Sequence, residues 1–406
     1  MKIANLRYLY SIIILGVTLV CLPFSVTAQN LSWQSIRTRV DIQSDTAATS
    51  DIVDGRWVAV GIRKPYAICI DSVYRFQGKP SFRFELKASD NTLSGYAAGE
   101  TKGRAELSAC FATAADYRDL PARVYQLAQC TKTVYHRGRG IIPQGSTAQY
   151  TFSIYLPSTT DSCVSSIFAQ WHGMPRRTLV QNPEGVVKQL SDEEFEALSK
   201  EMIFRKDTGY ERRLVVNHRG DTVVKAGRPN GWKVEQGGYP PLAFGFSSGW
   251  FYIKANSDRR WMSDKTDRCQ ARVTTARILE PVCSVYKAST IAYKQSFATF
   301  PKDCWVTFQV RAAWSVYGGE NEACLKPGVL DVWMSYWQEG QEVKRHIVDE
   351  ASLLMGRNDD AGYYFKFGIY RVGNSTVPVT YNLAGYDMQL LLDSELRKKI
   401  DTNKME

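Results

Sequence analysis

Histidine is scarce in this chain, and cysteine never occurs in the paired C-x-x-C spacing. Only four histidines are present among 406 residues, at positions 136, 172, 218 and 346. Structural zinc sites usually need such pairs, so the sequence argues against a zinc-binding module. Internal repeats, low-complexity tracts and runs of Lys or Arg are also missing, which argues against a repeat architecture or a basic tail that binds nucleic acid.

Beyond its N-terminus the chain lacks a second long apolar stretch, so we expect no membrane span in the mature protein. The first residues have the pattern of an export signal. Lys2 and Arg7 precede an apolar run from about 12 to 24, and the small residues 26–28 follow. This pattern predicts a signal peptide over residues 1–28 and a periplasmic or secreted protein.

Nine cysteines are present, and one of them, Cys21, lies inside the predicted signal. A lipoprotein is the alternative there, but Val20 is larger than the small residue that a lipobox needs. An exported chain is free to form disulfides, yet the spacing names no pair, and buried free thiols are an equal alternative. The remaining cysteines are Cys69, Cys110, Cys130, Cys163, Cys269, Cys283, Cys304 and Cys324.

Acidic residues are outnumbered, because 51 Lys and Arg stand against 41 Asp and Glu, a formal net charge of +10. Loss of Lys2 and Arg7 with the signal leaves about +8, and a basic chain attracts anionic partners. Nucleic acid, an anionic membrane and a sulfated or uronic-acid polysaccharide all satisfy this charge. The cationic side chains are spread singly among aromatic residues, which favours a cleft for a flexible polyanion over a nucleic-acid-binding tail.

Short runs of alternating apolar and polar residues dominate from 56 to 156 and again from 232 to 381. The segment 81–87 is an example, and turn residues such as those at 78–80 separate the runs. Alternation with a period of two indicates strands that have one buried and one polar face. Many strands and few helices predict an all-β fold, a β-jelly-roll sandwich.

One polar stretch breaks this pattern. Ser191 and Glu194 have the spacing of a capping box, which predicts the start of a helix. The apolar residues that follow at helical spacing are Phe195, Leu198 and Met202. We therefore predict a small inserted thumb with a helix at 176–229, flanked by the two parts of the sandwich domain at 29–175 and 230–406.

The segment 363–371 predicts a strand with two chemically different faces. Its core face consists of Phe365, Phe367 and Ile369, because side chains alternate across a sheet. The opposite face carries Tyr364, Lys366, Gly368 and Tyr370. Two phenols and an ammonium around a glycine are typical of a site where a ligand lies close to the backbone. Tyr364 is a candidate substrate contact, and the alternative is a strand whose polar face meets water.

His172 lies in the segment 167–173 and shares a predicted strand face with Gln170. An imidazole is the natural general base near neutral pH, and Arg176 and Arg177 are close along the chain. A structural histidine is the alternative for this residue taken alone.

Two further groups have weaker signals. Lys102 and Arg104 share a strand face, and with Lys132 and Arg83 they form a candidate set for carboxylate and sulfate groups. A solvated charged face has the same pattern. The acidic turn at 356–360 offers oxygen ligands for Ca²⁺, and a plain polar turn is its alternative.

Together these segments resemble the heparin lyase I family of polysaccharide lyases, also called heparinase I, over nearly the whole mature chain. The matching runs are 57–61, 95–104, 168–173, 229–240 and 356–381. The pair Gln170 and His172 and the row from Tyr364 to Tyr370 are also similar to a wider group of jelly-roll lyases that includes alginate lyases.

The resemblance implies β-elimination in heparin and highly sulfated heparan sulfate, at glucosamine–iduronate linkages, with a 4,5-unsaturated uronate as product. His172 would remove the C5 proton, Tyr370 would protonate the leaving oxygen, and Gln43 would help to neutralise the uronate carboxylate. The residues implied to hold sulfates are Lys102, Arg104, Lys132, Arg177 and Lys366. A structural Ca²⁺ would use Glu235, the carbonyl of Trp261, Asn358 and Asp359. We expect a monomer.

The chain departs from the family at two positions, with Ile142 where some members have a cysteine and Tyr210 where a second histidine follows the basic pair of the thumb. Two other functions remain open from the sequence. One is a jelly-roll lyase for another uronic-acid polymer such as alginate, and the other is a polyanion-binding module without catalysis. The facing pair His172 and Tyr370 favours a lyase over a binding module.

Overall fold

A computed structural model describes the greater part of the chain after residue 51. The described residues are 52–53, 57–61, 64–90, 103–109, 141–176, 178–182, 184–191, 193–195, 197–198, 212–216, 222–226, 233–234, 240–262, 282–283, 286–371 and 375–391. The predicted signal peptide lies outside them. Among these residues, helical structure is confined to short turns, including 3₁₀ turns at Phe297–Thr299 and Gly319–Asn321, and strands dominate.

The described part of the chain contains 25 strands. The strands of the first part are β1 (Ile52–Val53), β2 (Trp57–Gly61), β3 (Ile68–Phe76), β4 (Lys79–Leu86), β5 (Arg104–Ser108), β6 (Ile142–Pro143), β7 (Thr147–Tyr155), β8 (Ser166–Pro175), β9 (Leu179–Gln181), β10 (Val187–Gln189), β11 (Arg212–Val216), β12 (Thr222–Ala226) and β13 (Lys233–Val234). Those of the second part are β14 (Leu242–Ser247), β15 (Trp250–Asp258), β16 (Val282–Cys283), β17 (Lys287–Ser296), β18 (Trp305–Ala313), β19 (Val316–Tyr317), β20 (Cys324–Lys326), β21 (Gly328–Gln338), β22 (Gln341–Leu353), β23 (Gly356–Arg357), β24 (Asp360–Arg371) and β25 (Val379–Leu391).

Two large sheets form the molecule. The larger sheet has the order β1-β2-β5-β24-β8-β14-β15-β17-β16, with β6 paired to β24 and β23 paired to β15. The smaller sheet has the order β22-β21-β18-β7-β25-β4-β3. Neighbouring strands are often distant in sequence, as β5, β24 and β8 are, so chain crossovers place late strands in the middle of both sheets. The predicted all-β jelly-roll sandwich is confirmed.

The core lies between the two sheets and is rich in aromatic residues. Phe82 and Phe84 of the smaller sheet meet Phe367 of the larger sheet, with ring centroids 5.9 and 5.7 Å apart. Phe152 meets Phe365 in the same way at 5.2 Å. Burial of each such ring contributes roughly 1.5–3 kcal/mol to folding. Because the inner faces of both sheets form this core, the polar residues that alternate with the core residues point outward.

The segment predicted as a helical insertion has more strand than expected. Its capping box is confirmed, since the Ser191 N–H donates to Glu194 at 2.8 Å and the Glu194 N–H donates to the Ser191 hydroxyl at 3.2 Å. Helical residues at 193–195 and 197–198 follow, and Phe195 is buried. Strands β9 to β12 also lie in this segment and were not anticipated. The boundaries of the thumb stay a prediction.

Two further predictions concern the described residues only. No helix within them is long and apolar enough to cross a bilayer. The cysteines that the structure describes with their side chains are free thiols, as the alternative of unpaired cysteines expected, but none of them is buried: Cys163 is exposed and the others are half-buried. They are Cys69, Cys163, Cys304 and Cys324.

Candidate active site

The outer face of the larger sheet carries a row of polar side chains that crosses three neighbouring strands. Ser108 of β5 pairs with Lys366 of β24, and Lys366 pairs with Gln170 of β8. Residues directly opposite each other on neighbouring strands point to the same face. The inward neighbours Phe365, Phe367 and Ala169 belong to the core, so this row faces away from it.

A buried carboxylate lies at the centre of the row. Glu106 of β5 is 1% exposed and accepts a hydrogen bond from the Lys366 ammonium at 2.8 Å. Its second oxygen accepts a bond from the side-chain amide of Gln170, and the Arg104 guanidinium lies 2.9 Å from the carboxylate. Charges buried to this degree need paired, hydrogen-bonded partners, and Glu106 has two hydrogen bonds and an ion pair with Arg104.

Gly368 explains how this cluster fits on the strand. Its φ is +132°, and a Cβ there would lie 2.3 Å from the Ala105 carbonyl oxygen and 2.6 Å from the Glu106 Cα. The carbonyl of Gly368 also accepts the Tyr381 hydroxyl at 2.9 Å. The backbone conformation and the close approach of β5 therefore require glycine here, and the expectation that it opens space for a ligand stays a prediction.

His172 lies next to the cluster, on the outer face of β8. It pairs with Tyr364, and the two ring centroids are 5.6 Å apart. The next residue, Gly173, has no room for a side chain, because the atoms of the Asp360 carboxylate lie 2.2–2.5 Å from the place of a Cβ. Burial, followed by the positive charges of Lys366, Arg357 and Arg104, holds the pKa of His172 well below its usual value of 6.5. The imidazole is therefore neutral near pH 7, the state a general base needs.

Tyr370 lies further along β24, beyond Lys366 and Gly368. Its ring is 4.3 Å from the Arg104 guanidinium carbon, and the two residues are directly opposite each other. The pairing of β24 with β8 shifts register between Phe367 and Tyr370, so a bulge redirects the end of the strand. Acid and base candidates thus lie on two neighbouring strands with Lys366 between them.

The row continues across the sheet on strands that carry small residues. Gln170 pairs with Ala243 of β14, and Ala243 pairs with Lys254 of β15. Lys254 therefore shares the outer face and lies about 10 Å from Gln170, two strand spacings away. It is buried, and that burial lowers its pKa to about 8. The small side chain of Ala243 leaves a shallow floor between the two polar groups.

The acidic turn is buried instead of solvated. Asn358, Asp359 and Asp360 are 0% exposed, and the Arg357 guanidinium binds the Asp360 carboxylate. Just before the turn, β23 pairs with β15 in parallel. The choice between a calcium site and a plain polar turn, now a buried one, stays a prediction.

Comparison with known proteins decides the family. The polysaccharide lyase family matches residues 55–383 of the chain. The chain belongs to this family. Its similarity to a curated protein is also high, since heparin lyase I of Pedobacter heparinus is 58% identical over 362 residues, which cover 89% of this chain and 94% of the relative.

Solved structures with a similar arrangement are far more distant from this lyase. An alginate lyase of family 7, A1-II', has a TM-score of 0.34 with 11% identity and covers 81% of the chain and 85% of its own length. The alginate lyase vAL-1 from Chlorella virus also has a TM-score of 0.34, with 10% identity, and covers 83% of the chain and 94% of its own. At these values the superpositions decide nothing about substrate.

The structure brings some of the predicted site residues of this lyase together and leaves others untested. His172, Lys366, Tyr364, Tyr370 and Arg104 share one outer face. The predicted residues that lie outside the described part of the chain are Gln43, Lys102, Lys132, Arg177 and Glu235.

Arg83 is a correction. It lies on β4 of the smaller sheet between the core residues Phe82 and Phe84, so its side chain points to the outer face of the opposite sheet. There it pairs with Glu85. The prediction that Arg83 lies beside Lys102 and Arg104 was wrong because the alternation of apolar and polar residues does not show which of the two sheets a strand joins.

Two residues of the site were missed by sequence reasoning. Glu106 stands two positions after Arg104 and shares its face, so the alternation itself placed it among the cations. Lys254 follows an apolar-polar alternation in segment 251–254, but nothing in the sequence shows which strands flank β15. Register across strands, which only the fold provides, makes Lys254 a neighbour of Gln170.

Proposed function

We propose that this chain is a heparin lyase that cleaves heparin and highly sulfated heparan sulfate by β-elimination at glucosamine–iduronate linkages. The observation that carries the proposal is the 58% identity to heparin lyase I over nearly the whole chain. The neutral, half-buried imidazole of His172 beside the Glu106–Lys366 pair supports it chemically. The products carry a 4,5-unsaturated uronate at their new non-reducing ends.

The reaction needs three groups that the site can supply. A base removes the C5 proton of the uronate, a cation or donor stabilises the charge that develops on the adjacent carboxylate, and an acid protonates the leaving oxygen on C4. In iduronate the C5 hydrogen and the C4 oxygen lie on opposite faces of the ring, so base and acid are different residues. We assign His172 as the base and Tyr370 as the acid.

Cationic side chains along the proposed cleft bind the sulfate and carboxylate groups of the substrate. Arg104 reaches the same face as the base, and we propose that Lys102, Lys132 and Arg177 add sulfate contacts together with Lys366 and Gln43 near the uronate. Because the Lys366 ammonium is 4% exposed and bound to Glu106, its effect on a sulfate or carboxylate acts mainly through its charge. Contacts remote from C5 position the sugar for the proton transfer.

Lys254 is expected to bind a sulfate at the far side of the cleft. The Lys254→Met variant should raise KM for heparin about tenfold, which corresponds to about 1.4 kcal/mol, with kcat nearly unchanged, because a remote contact contributes mainly to binding. Initial rates over a heparin series measure both constants. Lys344→Met is the matched control, since Lys344 lies on the smaller sheet over the Trp333 ring. Equal KM values for both variants would show that Lys254 does not contribute to heparin binding.

A substrate panel tests the proposal against the alginate alternative. The conjugated uronate product absorbs ultraviolet light, so its appearance is followed directly with heparin, heparan sulfate and alginate as separate substrates. We expect absorbance to rise with heparin and highly sulfated heparan sulfate and to stay flat with alginate. A rise with alginate alone would replace the heparin assignment, and salt-sensitive binding of heparin without any product would indicate a binding module.

A structural Ca²⁺ at the acidic turn is also proposed. Two observations support the proposal: Asp359 is a fully buried carboxylate, and the side chain of Asn358 joins two other segments. The Asn358 amide donates to the carbonyls of Arg259 and Gly319 and accepts the Gly319 N–H at 3.0 Å. Trp261 lies two residues after Arg259, and its carbonyl would be a further ligand. Glu235 would complete the set, and the ion would fix these segments behind His172.

Calcium is expected to stabilise the protein. A ligand present at about 100 times its Kd adds about 2.7 kcal/mol to the free energy of unfolding, so Tm should rise when calcium is added to chelated protein. Thermal unfolding with chelator, calcium and magnesium measures this. The Asp359→Asn variant should lose most of the calcium-dependent rise. A Tm of the wild type that is the same in chelator and in calcium would contradict a calcium site.

We propose further that the chain is exported through residues 1–28 and works in the periplasm or outside the cell as a monomer. The basic start and apolar run of the N-terminus support export. Cell fractionation with N-terminal sequencing of the mature protein, and its mass in solution, check the two statements.

A further inference from the structure

Glu106 contacts three polar or charged side chains of the candidate site. Its Oε2 accepts from the Lys366 ammonium at 2.8 Å and lies 2.9 Å from the Arg104 Nε. Its Oε1 accepts from the Gln170 side-chain amide. These three partners come from β24, β5 and β8, which are adjacent in the larger sheet. One carboxylate therefore ties together the strands that carry both the base and the acid.

The sign of the Glu106 charge is unexpected for a cleft that binds a polyanion. A carboxylate under the substrate repels sulfate and uronate groups, so affinity alone would favour a neutral residue there. Glu106 is nevertheless 1% exposed, and Lys366 is 3% exposed. A buried ammonium without a counter-charge is costly, which gives the carboxylate a role in holding Lys366 charged and in place.

The neighbours of the cluster link it to the reaction. Lys366 lies between His172 and Tyr370 along the paired strands, and its charge acts on His172. Arg104, the other cation on Glu106, lies against the Tyr370 ring at 4.3 Å. Each of the two cations that pair with Glu106 thus adjoins one of the two residues assigned to proton transfer.

We propose that Glu106 is a positioning residue of the lyase reaction, which holds Lys366, Arg104 and Gln170 in the arrangement that the transition state requires and does so at a cost in polyanion affinity. This inference rests on the proposed function. Glu106 is not expected to touch the sugar. It acts by fixing donors and cations before the C5 proton is removed, so that little reorganisation is needed when charge develops on the uronate.

The test separates turnover from binding. Glu106→Gln keeps the shape of the side chain and removes its charge, and kcat for heparin is expected to fall about 100-fold. Affinity is measured in the inactive His172→Ala background, by comparing that variant with His172→Ala/Glu106→Gln in direct heparin titrations. The second variant should bind heparin as tightly as the first or more tightly, because a negative charge beneath the polyanion is gone.

A carboxylate on the other sheet provides the control. Glu85→Gln removes a carboxylate that also pairs with an arginine but lies on the outer face of the smaller sheet, and it should leave kcat unchanged. Weaker binding of heparin together with lower kcat in the Glu106 variant would indicate a general structural role and overturn the inference, as would an unchanged kcat.

If Glu106→Gln does not fold, Glu106→Asp carries the test. This variant keeps the charge but shortens the side chain, so it cannot reach Lys366 and Gln170 together, and we expect kcat to fall about tenfold at unchanged affinity. Full activity of the aspartate variant overturns the inference. A wild type that forms no product from heparin overturns the proposed function and this inference with it, whereas an active wild type with an equally active Glu106→Gln overturns the inference alone.

Discussion

The His172→Ala variant is expected to lose heparin turnover almost completely while it still binds heparin. Removal of a general base lowers kcat by roughly 10²–10⁴-fold, since the base acts only in the transition state. The residue makes no ion pair that the binding of a polyanion would need, so the Kd should change by less than about threefold. Product absorbance gives kcat, and calorimetric titration with heparin gives the Kd.

His346→Ala is the matched control for this variant. His346 lies on the outer face of the smaller sheet, stacked on Trp333 with its Nε2 2.9 Å from Asp331. Its removal should leave kcat and KM as in the wild type. Equal losses in both histidine variants, or full activity of His172→Ala, would contradict the assignment of the base.

The pH dependence of the wild type follows from the environment of His172. Because burial and nearby cations hold the pKa of His172 well below 6.5, the imidazole stays neutral through pH 7 and the acid limb of kcat/KM lies below pH 6.5. The unfolded chain takes up this proton before the folded chain does, so acidification through and below pH 6.5 also lowers stability. An acid limb at or above pH 6.5 would show a base with an ordinary or raised pKa.

The second large effect is expected from Tyr370→Phe, which removes the proton that the leaving oxygen needs. We expect kcat to fall by roughly 10²–10³-fold, whereas Tyr364→Phe should reduce it less than about tenfold. The two phenols stand on the same face of β24, so each variant is the matched control of the other. Steady-state rates with heparin at pH 7 measure both.

The distances in the structure place one tyrosine near the base, whereas the assignment of the acid names the other. Tyr364 is the phenol whose ring lies 5.6 Å from His172, while Tyr370 stands six residues further along β24 against Arg104. The assignment of Tyr370 requires the two side chains to lean toward each other over Lys366, along the strand direction. A larger loss of kcat in Tyr364→Phe would make Tyr364 the acid and move the reacting sugar toward the Asp360 end of the strand.

Local patterns in the sequence were enough for the fold class and for single elements. Alternation placed Phe365, Phe367 and Ile369 in the core because one face of a sandwich strand must be buried. The capping box at Ser191 was equally readable, since its two hydrogen bonds connect residues only three apart. Interactions within one strand or one turn involve residues that are close along the chain, so they can be predicted from the sequence.

Features that depend on which strands become neighbours could not be read in the same way. Arg83 and Arg104 have similar surroundings in sequence, but one lies on the smaller sheet and the other on the larger sheet. Lys254 joins the polar row on the outer face of the larger sheet through the register of three strands. Asp359 is buried just after a parallel pairing between β23 and β15 that no local pattern signals.

Mass measurement of the products formed from a defined heparin oligosaccharide tests the central claim most directly. Elimination adds no water across the cleaved bond, so the two product masses should sum to the mass of the substrate, and one product should absorb as a conjugated uronate. The wild type is expected to give this result, and His172→Ala is expected to return intact substrate. Products whose masses sum to the substrate plus one water, without absorbance, would show hydrolysis and contradict a lyase carried by His172.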